Sequence, residues 1–135
     1  MGASVDAREL EKYFENFNVA TKEFDDFLKQ FLQEMAERVI RKVKPDTPVD
    51  TGALRSSWSL GKVMGSGTDI FIVIYNPMDY ASAIEYGHRI VVNGVEVGWY
   101  EGRFMLKIAV EDVRRQMPLR FEKAFNEFTS RMGIR

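Results

Sequence analysis

The sequence contains no cysteine and a single histidine, His88, in 135 residues. Disulfide bonds, thiolate metal sites and a cysteine nucleophile are therefore excluded. A Ser-His-Asp triad would have to use His88, and no G-x-S-x-G motif supplies its serine. The carboxylates are scattered without the spacing of a metal site. We therefore expect no catalytic residue, no metal and no cofactor, and we interpret the chain as a non-enzyme.

Long apolar runs and an excess of one charge are missing too. No stretch approaches the roughly 20 apolar residues of a membrane span, and the segment MGASVDAREL lacks the apolar run of a secretion signal. The 19 basic and 20 acidic residues give a formal charge of -1. This balance disfavours a surface wholly devoted to nucleic acid or to an anionic membrane.

Apolar residues in the first third of the chain recur at steps of three and four, which predicts a long helix with one buried face. Asp6 followed by Glu9 resembles a capping box at its start. Residues 16–21 predict a break, with Thr21 restarting the helix, and Pro45 predicts its end. Eight phenylalanines are predicted to pack in the core or, in part, against a partner subunit: Phe14, Phe17, Phe24, Phe27, Phe31, Phe121, Phe125 and Phe128.

The middle of the chain has the composition of strands. WSLGKVM and TDIFIVIYN are strand-like and are joined by residues 65–67, and isoleucine and valine are concentrated at residues 70–75, which predicts two strands. YASAIEYG predicts a short helix that ends at Gly87 in the left-handed conformation. Asn93-Gly94 between two β-branched runs predicts a type I′ hairpin.

The last third returns to helical spacing. Apolar residues recur from Phe104 through Ile108 and on past Leu119, and Pro118 predicts a kink or a restart of this helix. The order of elements predicts one α+β domain over residues 1–135. In it, a long N-terminal helix and a C-terminal helix pack on a small antiparallel β-sheet.

The segment PVDTGALRSSW contains the Asp-Thr-Gly triplet of aspartic proteases. In that class, the catalytic aspartate follows an apolar strand and shares a proton with a second one. Here two prolines, Pro45 and Pro48, precede Asp50 and are incompatible with a central strand. We interpret Asp50 and Thr51 as turn and cap residues and Gly52 as a bend. A small homodimeric aspartic hydrolase that uses Asp50 is the remote alternative.

Three segments, TPVDTGALRSSW, YNPMDYASAIEYGHR and GRFML, follow one another at a characteristic spacing. In this combination they resemble the minor structural proteins of tailed bacteriophages and prophages, which are tail-completion, neck or head–tail joining proteins. The resemblance runs over about residues 39–108. It implies a structural virion protein that forms a ring, six-fold or twelve-fold, at the head–tail junction, after assembly in the host cytoplasm. A tail terminator or a head-completion subunit is the alternative.

The resemblance also implies partners. These are further copies of the chain, portal-side connector or stopper proteins, and the tail tube or tail terminator. DNA would be met only as it passes through the lumen of the ring, and neither a membrane nor a cofactor is implied.

Two groups of residues carry the expected function. A structural loop is predicted at Pro48, Asp50, Thr51, Gly52, Leu54, Arg55 and Trp58. A contact surface is predicted at Tyr80, Glu85, Tyr86, Gly87, His88, Arg89, Asn93 and Gly94, since tyrosine and arginine are enriched in interface cores. Within the first group, Leu54 and Trp58 are expected to anchor the loop in the core, and Arg55 is expected to pair with Glu85 in bidentate geometry.

Overall fold

The computed structural model describes residues 2–6, 22–49, 52–67 and 69–133. Its elements are, in chain order, β1 (Gly2–Asp6), α1 (Lys22–Asp46), α2 (Ala53–Ser56), β2 (Ser59–Leu60), β3 (Met64–Ser66), β4 (Asp69–Tyr75), α3 (Ala81–Tyr86), β5 (Gly87–Val92), β6 (Val95–Glu101) and α4 (Met105–Arg131). The main sheet has the order β1-β4-β2, with β3 also paired to β4, and β5 and β6 form a separate two-stranded sheet. The predicted α+β class is confirmed.

Strand β4, with the sequence DIFIVIY, is the centre of the main sheet and has one buried and one exposed face. Ile70, Ile72 and Ile74 are at most 1% exposed, while the alternate residues Phe71, Val73 and Tyr75 are 37–40% exposed. Successive side chains of a strand point to opposite faces, so one face of the sheet packs on the core and the other lies open.

Strand β1 is a feature that the sequence analysis does not predict. Residues Gly2–Asp6 pair antiparallel with β4, from Gly2 opposite Tyr75 to Asp6 opposite Phe71. A segment of five residues is too short to show a clear periodic pattern in the sequence. The strand forms because β4 has an edge with which it can pair. The helix predicted to start after Asp6 falls on residues outside the described ones. Glu9 and the predicted break at residues 16–21 lie outside the described residues.

Helices α1 and α4 pack side by side in opposite directions. The ring of Phe24, near the start of α1, lies 6.2 Å from that of Phe125, and Phe31 lies 5.2 Å from Phe121. Edge-to-face and offset contacts of this kind add to the free energy of burial. The core prediction is confirmed for the six phenylalanines in the described residues, each at most 9% exposed. Phe14 and Phe17 lie outside them.

Pro45 and Pro118 each lie inside a helix. Helix α1 continues through Pro45 to Asp46, two residues beyond its predicted end, and α4 continues through Pro118 without restarting. Leu119 is 75% exposed, contrary to the predicted apolar stripe. It lies two positions before the buried Phe121. Residues two positions apart in a helix are separated by about 200° around the axis, so Leu119 points away from the core. Phe104 and Ile108 are likewise exposed, at 40% and 50%.

Candidate functional site

The loop that follows α1 is fastened to the end of that helix by Arg55. Its Nη2 atom donates hydrogen bonds to the carbonyl oxygens of Thr47, at 3.0 Å, and Pro45, at 3.2 Å, and its Nε atom donates to Thr47 at 3.3 Å. The last carbonyls of a helix have no partner within the helix and carry its negative dipole end. The guanidinium therefore satisfies orphaned acceptors and places a cation where the dipole favours one.

Thr47 and Trp58 hold the same loop from the inside. The Thr47 hydroxyl donates to the carbonyl of Val43 at 2.6 Å and accepts a hydrogen bond from Trp58 Nε1 at 2.8 Å. Both residues are buried, and Leu54 is buried as well. Leu54 and Trp58 thus lie in the core as predicted, while the part of Thr47 is not foreseen. Threonine hydroxyls commonly donate to the carbonyl four residues earlier, so a threonine directly after the end of a helix could have indicated this bond.

Asn76 ties the loop to the end of β4. Its Nδ2 atom donates to the carbonyl of Leu54 at 2.8 Å, and its Oδ1 atom accepts from the backbone N–H of Met78 at 3.1 Å. The residue is 1% exposed, so both contacts are made in the interior. The sequence analysis reads Asn76 only as the end of a strand, because its partner lies 22 residues earlier in the chain.

The remaining loop residues are placed as follows. Pro48 is half-buried, and Gly52 occupies the N-cap position of α2 with φ 83°. Asp50 and Thr51 lie outside the described residues, and so does the predicted cap by Thr51. The chain before Asp50 is helix α1 and irregular backbone, not the apolar strand that precedes a protease aspartate.

Glu85 binds the start of α4. Its two carboxylate oxygens accept hydrogen bonds from the backbone N–H groups of Leu106, at 2.9 Å, and Lys107, at 3.1 Å. The side chain is 1% exposed. The first N–H groups of a helix lack partners within it, and an anion there also meets the positive end of the dipole. The predicted pair with Arg55 is wrong, since Arg55 binds the end of α1 and Glu85 the start of α4.

The same contact fixes the base of the β5–β6 hairpin. The carbonyl of Glu85 accepts a hydrogen bond from Phe104 N at 3.0 Å, and that of Ile84 accepts from Arg103 N at 2.9 Å. The residues that enter the hairpin and those that leave it are therefore held together. Gly87 begins β5 directly, with φ 89° and ψ 171°, so the predicted left-handed helical cap is wrong although φ is positive. A Cβ atom there would collide with the carbonyl oxygen of Tyr100.

The hairpin itself exposes large apolar side chains on both of its faces. Five of them are 52–61% exposed: Val91, Val92, Val95, Val97 and Trp99. Its tip matches the predicted type I′ turn, because Asn93 and Gly94 both have positive φ, at 52° and 78°. Apolar clusters of this kind on a protein surface mark contact sites.

We predict that Gly94→Ala loosens the hairpin while the helices stay formed. An L-residue held in the left-handed region costs roughly 1–2 kcal/mol, and about 1.4 kcal/mol is a tenfold change in an equilibrium. Hydrogen exchange at the amides of residues 92–95 should accelerate by about tenfold. Gly98→Ala is the matched control, because its Cβ would lie 3.7 Å from the Cδ1 atom of Ile90, an ordinary contact. Equal acceleration in both variants would contradict the turn assignment.

The predicted contact residues are exposed or half-buried, with one exception. Tyr80 and Tyr86 are 42% and 57% exposed, Arg89 is exposed, and the His88 ring stacks on Tyr100 at 5.0 Å. Asn93 and Gly94 form the exposed tip. Glu85 is the exception: its carboxylate is buried and occupied within the chain, so it positions the hairpin and does not belong to the surface.

The described residues offer no cluster of three or more histidine, cysteine, aspartate or glutamate side chains that could hold a metal ion. In that same part of the chain, no helix has both the length and the hydrophobicity needed to cross a membrane. The two sequence motifs are each hydrogen-bonded to the end of a long helix, and the β5–β6 hairpin has exposed apolar side chains.

The family comparison gives the class of protein. Residues 8–87 match the model of the HK97-gp10-like family, described as "Bacteriophage HK97-gp10, putative tail-component". The match spans more than half of the chain and includes both the PVDTGALR loop and the YASAIEYG helix, so the chain belongs to this family of phage tail-component structural proteins. The predicted resemblance to phage minor structural proteins is confirmed. Comparison with curated proteins and with solved structures gave no match.

Proposed function

We propose that this chain is a ring-forming tail-completion or neck subunit that joins the head and the tail of a virion. The family match over residues 8–87 carries the proposal, because it assigns the chain to a phage tail component. The uncovered hairpin supports it, since apolar surface of this kind is covered when subunits assemble. In this reading the protein acts by binding and contributes no chemistry.

The ring would contain six or twelve copies of the chain at the head–tail junction. Its neighbours would be portal-side connector or stopper proteins on one side and the tail tube or tail terminator on the other. DNA would pass through the lumen without being read. The near balance of 19 basic and 20 acidic residues favours contacts between complementary patches, which close into rings when the rotation permits.

We predict that Tyr86→Ala combined with Arg89→Glu leaves the subunit folded but yields particles whose heads and tails stay separate. Tyr86 is 57% exposed and contacts only the edge of the exposed Phe104 ring, at 6.3 Å, among the aromatic side chains of the described residues. Its loss should therefore cost assembly more than stability. Electron microscopy of lysates measures the ratio of joined to separate particles, and circular dichroism of the purified variant checks the fold.

Lys62→Glu is the matched control, because it reverses an exposed charge on the connection between β2 and β3 and should leave joining intact. Joining by the double variant at the wild-type ratio would remove this surface from the contact. Joined particles after deletion of the whole gene would overturn the role at the junction. Locating the subunit in micrographs of the particle separates a neck ring from the tail-terminator and head-completion alternatives.

A further inference from the structure

The β5–β6 hairpin is a sheet with two open edges. Among the described residues, β5 pairs only with β6 and β6 only with β5, so the outer edge of each strand has no strand partner. A two-stranded hairpin alone is marginally stable in water. An open edge flanked by exposed apolar residues is a template for pairing with a further strand. The hairpin therefore has the form of an incomplete sheet.

The two strands of this hairpin carry opposite charges. β5 holds His88 and Arg89 and no acid, while β6 holds Glu96 and Glu101 and no base. Within the described part of the chain, none of the ion pairs involves Arg89, Glu96 or Glu101. Like charges directly opposite each other destabilise strand pairing, and opposite charges stabilise it. A β5 edge therefore favours a β6 edge over another β5 edge.

The faces of the hairpin make this pairing specific. Arg89 lies opposite Trp99, and Val91 lies opposite Glu96. Because β5 is uninterrupted, its alternate residues Arg89 and Val91 share a face, and their partners lie on that face too. If a second hairpin continued the sheet, its Arg89 would lie beside Trp99 or a glutamate of the first. Arginine binds either group favourably.

The pairing of β5 with β6 contains an irregularity. Ile90 pairs with Gly98 and the next residue, Val91, pairs with Glu96, so Val97 is the extra residue of a bulge. A bulge bends its strand and increases the local twist, and bulges are a means of closing sheets into barrels. Repeated hairpins of this shape would curve and close.

We infer that in the assembled ring the outer edge of β5 in one copy pairs with the outer edge of β6 in the next. The hairpins then form one closed antiparallel barrel. This inference rests on the proposed ring-forming function and names the partner of the hairpin, a second copy of this chain. The contact is heterologous: each copy uses both edges, and no two-fold axis relates the two strands that pair.

Disulfide trapping tests this pairing, and the absence of native cysteine removes background from the chain itself. Ile90→Cys or Val92→Cys on β5 is co-expressed with Val95→Cys or Val97→Cys on β6, so that each chain carries one thiol. Testing two positions on each strand samples several registers. The assembled particles are oxidised, and gel electrophoresis under non-reducing conditions is expected to show a dimer in at least one mixture.

Each single variant serves as a control. In the proposed barrel, the same strand of adjacent copies is separated by two strand spacings, about 9.6 Å, which is beyond disulfide reach. A dimer from a β5 variant alone would overturn the inference in favour of a two-fold contact. Trapping of Val97→Cys with Val73→Cys, on the open face of β4, in place of the β5 positions would show face docking and overturn it too. The absence of a dimer in all four mixtures would have the same result.

A charge exchange supplies an independent readout that a purely structural role would not produce. Arg89→Glu alone makes both edges acidic and should lower the joined fraction of particles at least tenfold. Adding Glu96→Arg and Glu101→Arg to the same chain restores opposite edges and should recover most of that loss, whereas adding Lys62→Arg should recover none. Failure of recovery would contradict edge pairing. If gene deletion abolishes joining while trapping and recovery both fail, only this inference falls and the function at the junction stands.

Discussion

Replacing Phe121 with alanine should lower the free energy of unfolding by about 4 kcal/mol, the typical cost of removing a buried phenylalanine ring. Phe121 is fully buried between α1 and α4, with ring centroids 5.2 Å from Phe31, 5.9 Å from Phe27 and 5.6 Å from Phe125. The cavity would open in the middle of the aromatic cluster, where rigid rings on both helices leave little room to relax. Urea denaturation of the purified chain measures the loss.

Leu119→Ala is the control for this prediction. Leu119 lies on the same helix, is 75% exposed, and should change the free energy of unfolding by no more than about 0.5 kcal/mol. Because a domain has only about 5–15 kcal/mol of stability, Phe121→Leu provides a milder test with a smaller loss in the same direction. Equal losses for Leu119→Ala and Phe121→Ala would contradict the antiparallel packing of the two helices.

Replacing Glu85 with alanine should cost about 3 kcal/mol, because two backbone N–H groups lose their acceptor and each unsatisfied buried donor costs about 1–3 kcal/mol. These are the N–H groups of Leu106 and Lys107, at the start of α4. Loss of the anchor should also loosen the base of the hairpin, since Ile84 and Glu85 bind the residues that follow β6. Denaturation measures the first effect, and hydrogen exchange at residues 102–107 the second.

Glu85→Gln removes the negative charge but keeps the shape of the side chain, so it separates these two contributions to the free energy of unfolding. It retains one acceptor oxygen and should lose about half as much stability as Glu85→Ala. Glu96→Ala, an exposed glutamate on β6, should leave the free energy of unfolding of the isolated subunit within about 0.5 kcal/mol. An unchanged free energy for Glu85→Ala would mean that α4 starts without this contact, and the role of the YASAIEYG motif as an anchor would be lost.

The contacts of Arg55 and Glu85 indicate what the two family motifs do in the fold. Arg55 in the first motif and Glu85 in the second each bind the end of a long helix, one at the C-terminal carbonyls of α1 and the other at the N-terminal amides of α4. Both motifs thus set the positions of the helices relative to the sheet. The hairpin, which carries the candidate contacts, begins at Gly87, where the family match ends.

The sequence by itself determined the features that depend on neighbours along the chain. Its β-branched composition marked β4 as a strand, Asn93-Gly94 specified a hairpin turn, and apolar spacing marked the helices around Phe27 and Phe121. Such signals are local, because the period of a helix or strand and the φ angles of a turn belong to a few consecutive residues. Recognition of the phage family also came from local motifs, and the family match confirmed it.

Tertiary structure alone decided which polar groups meet. Glu85 and the amides of α4 that it binds are 21 and 22 residues apart in the chain. Arg55 binds carbonyl oxygens at the end of α1 and not the carboxylate of Glu85 that was predicted from the sequence. A charged side chain in the interior binds whichever unsatisfied backbone groups packing brings within reach, and no local pattern encodes that choice. Strand β1 formed for a related reason: its five residues carry no strand pattern of their own, and they pair with an edge of β4.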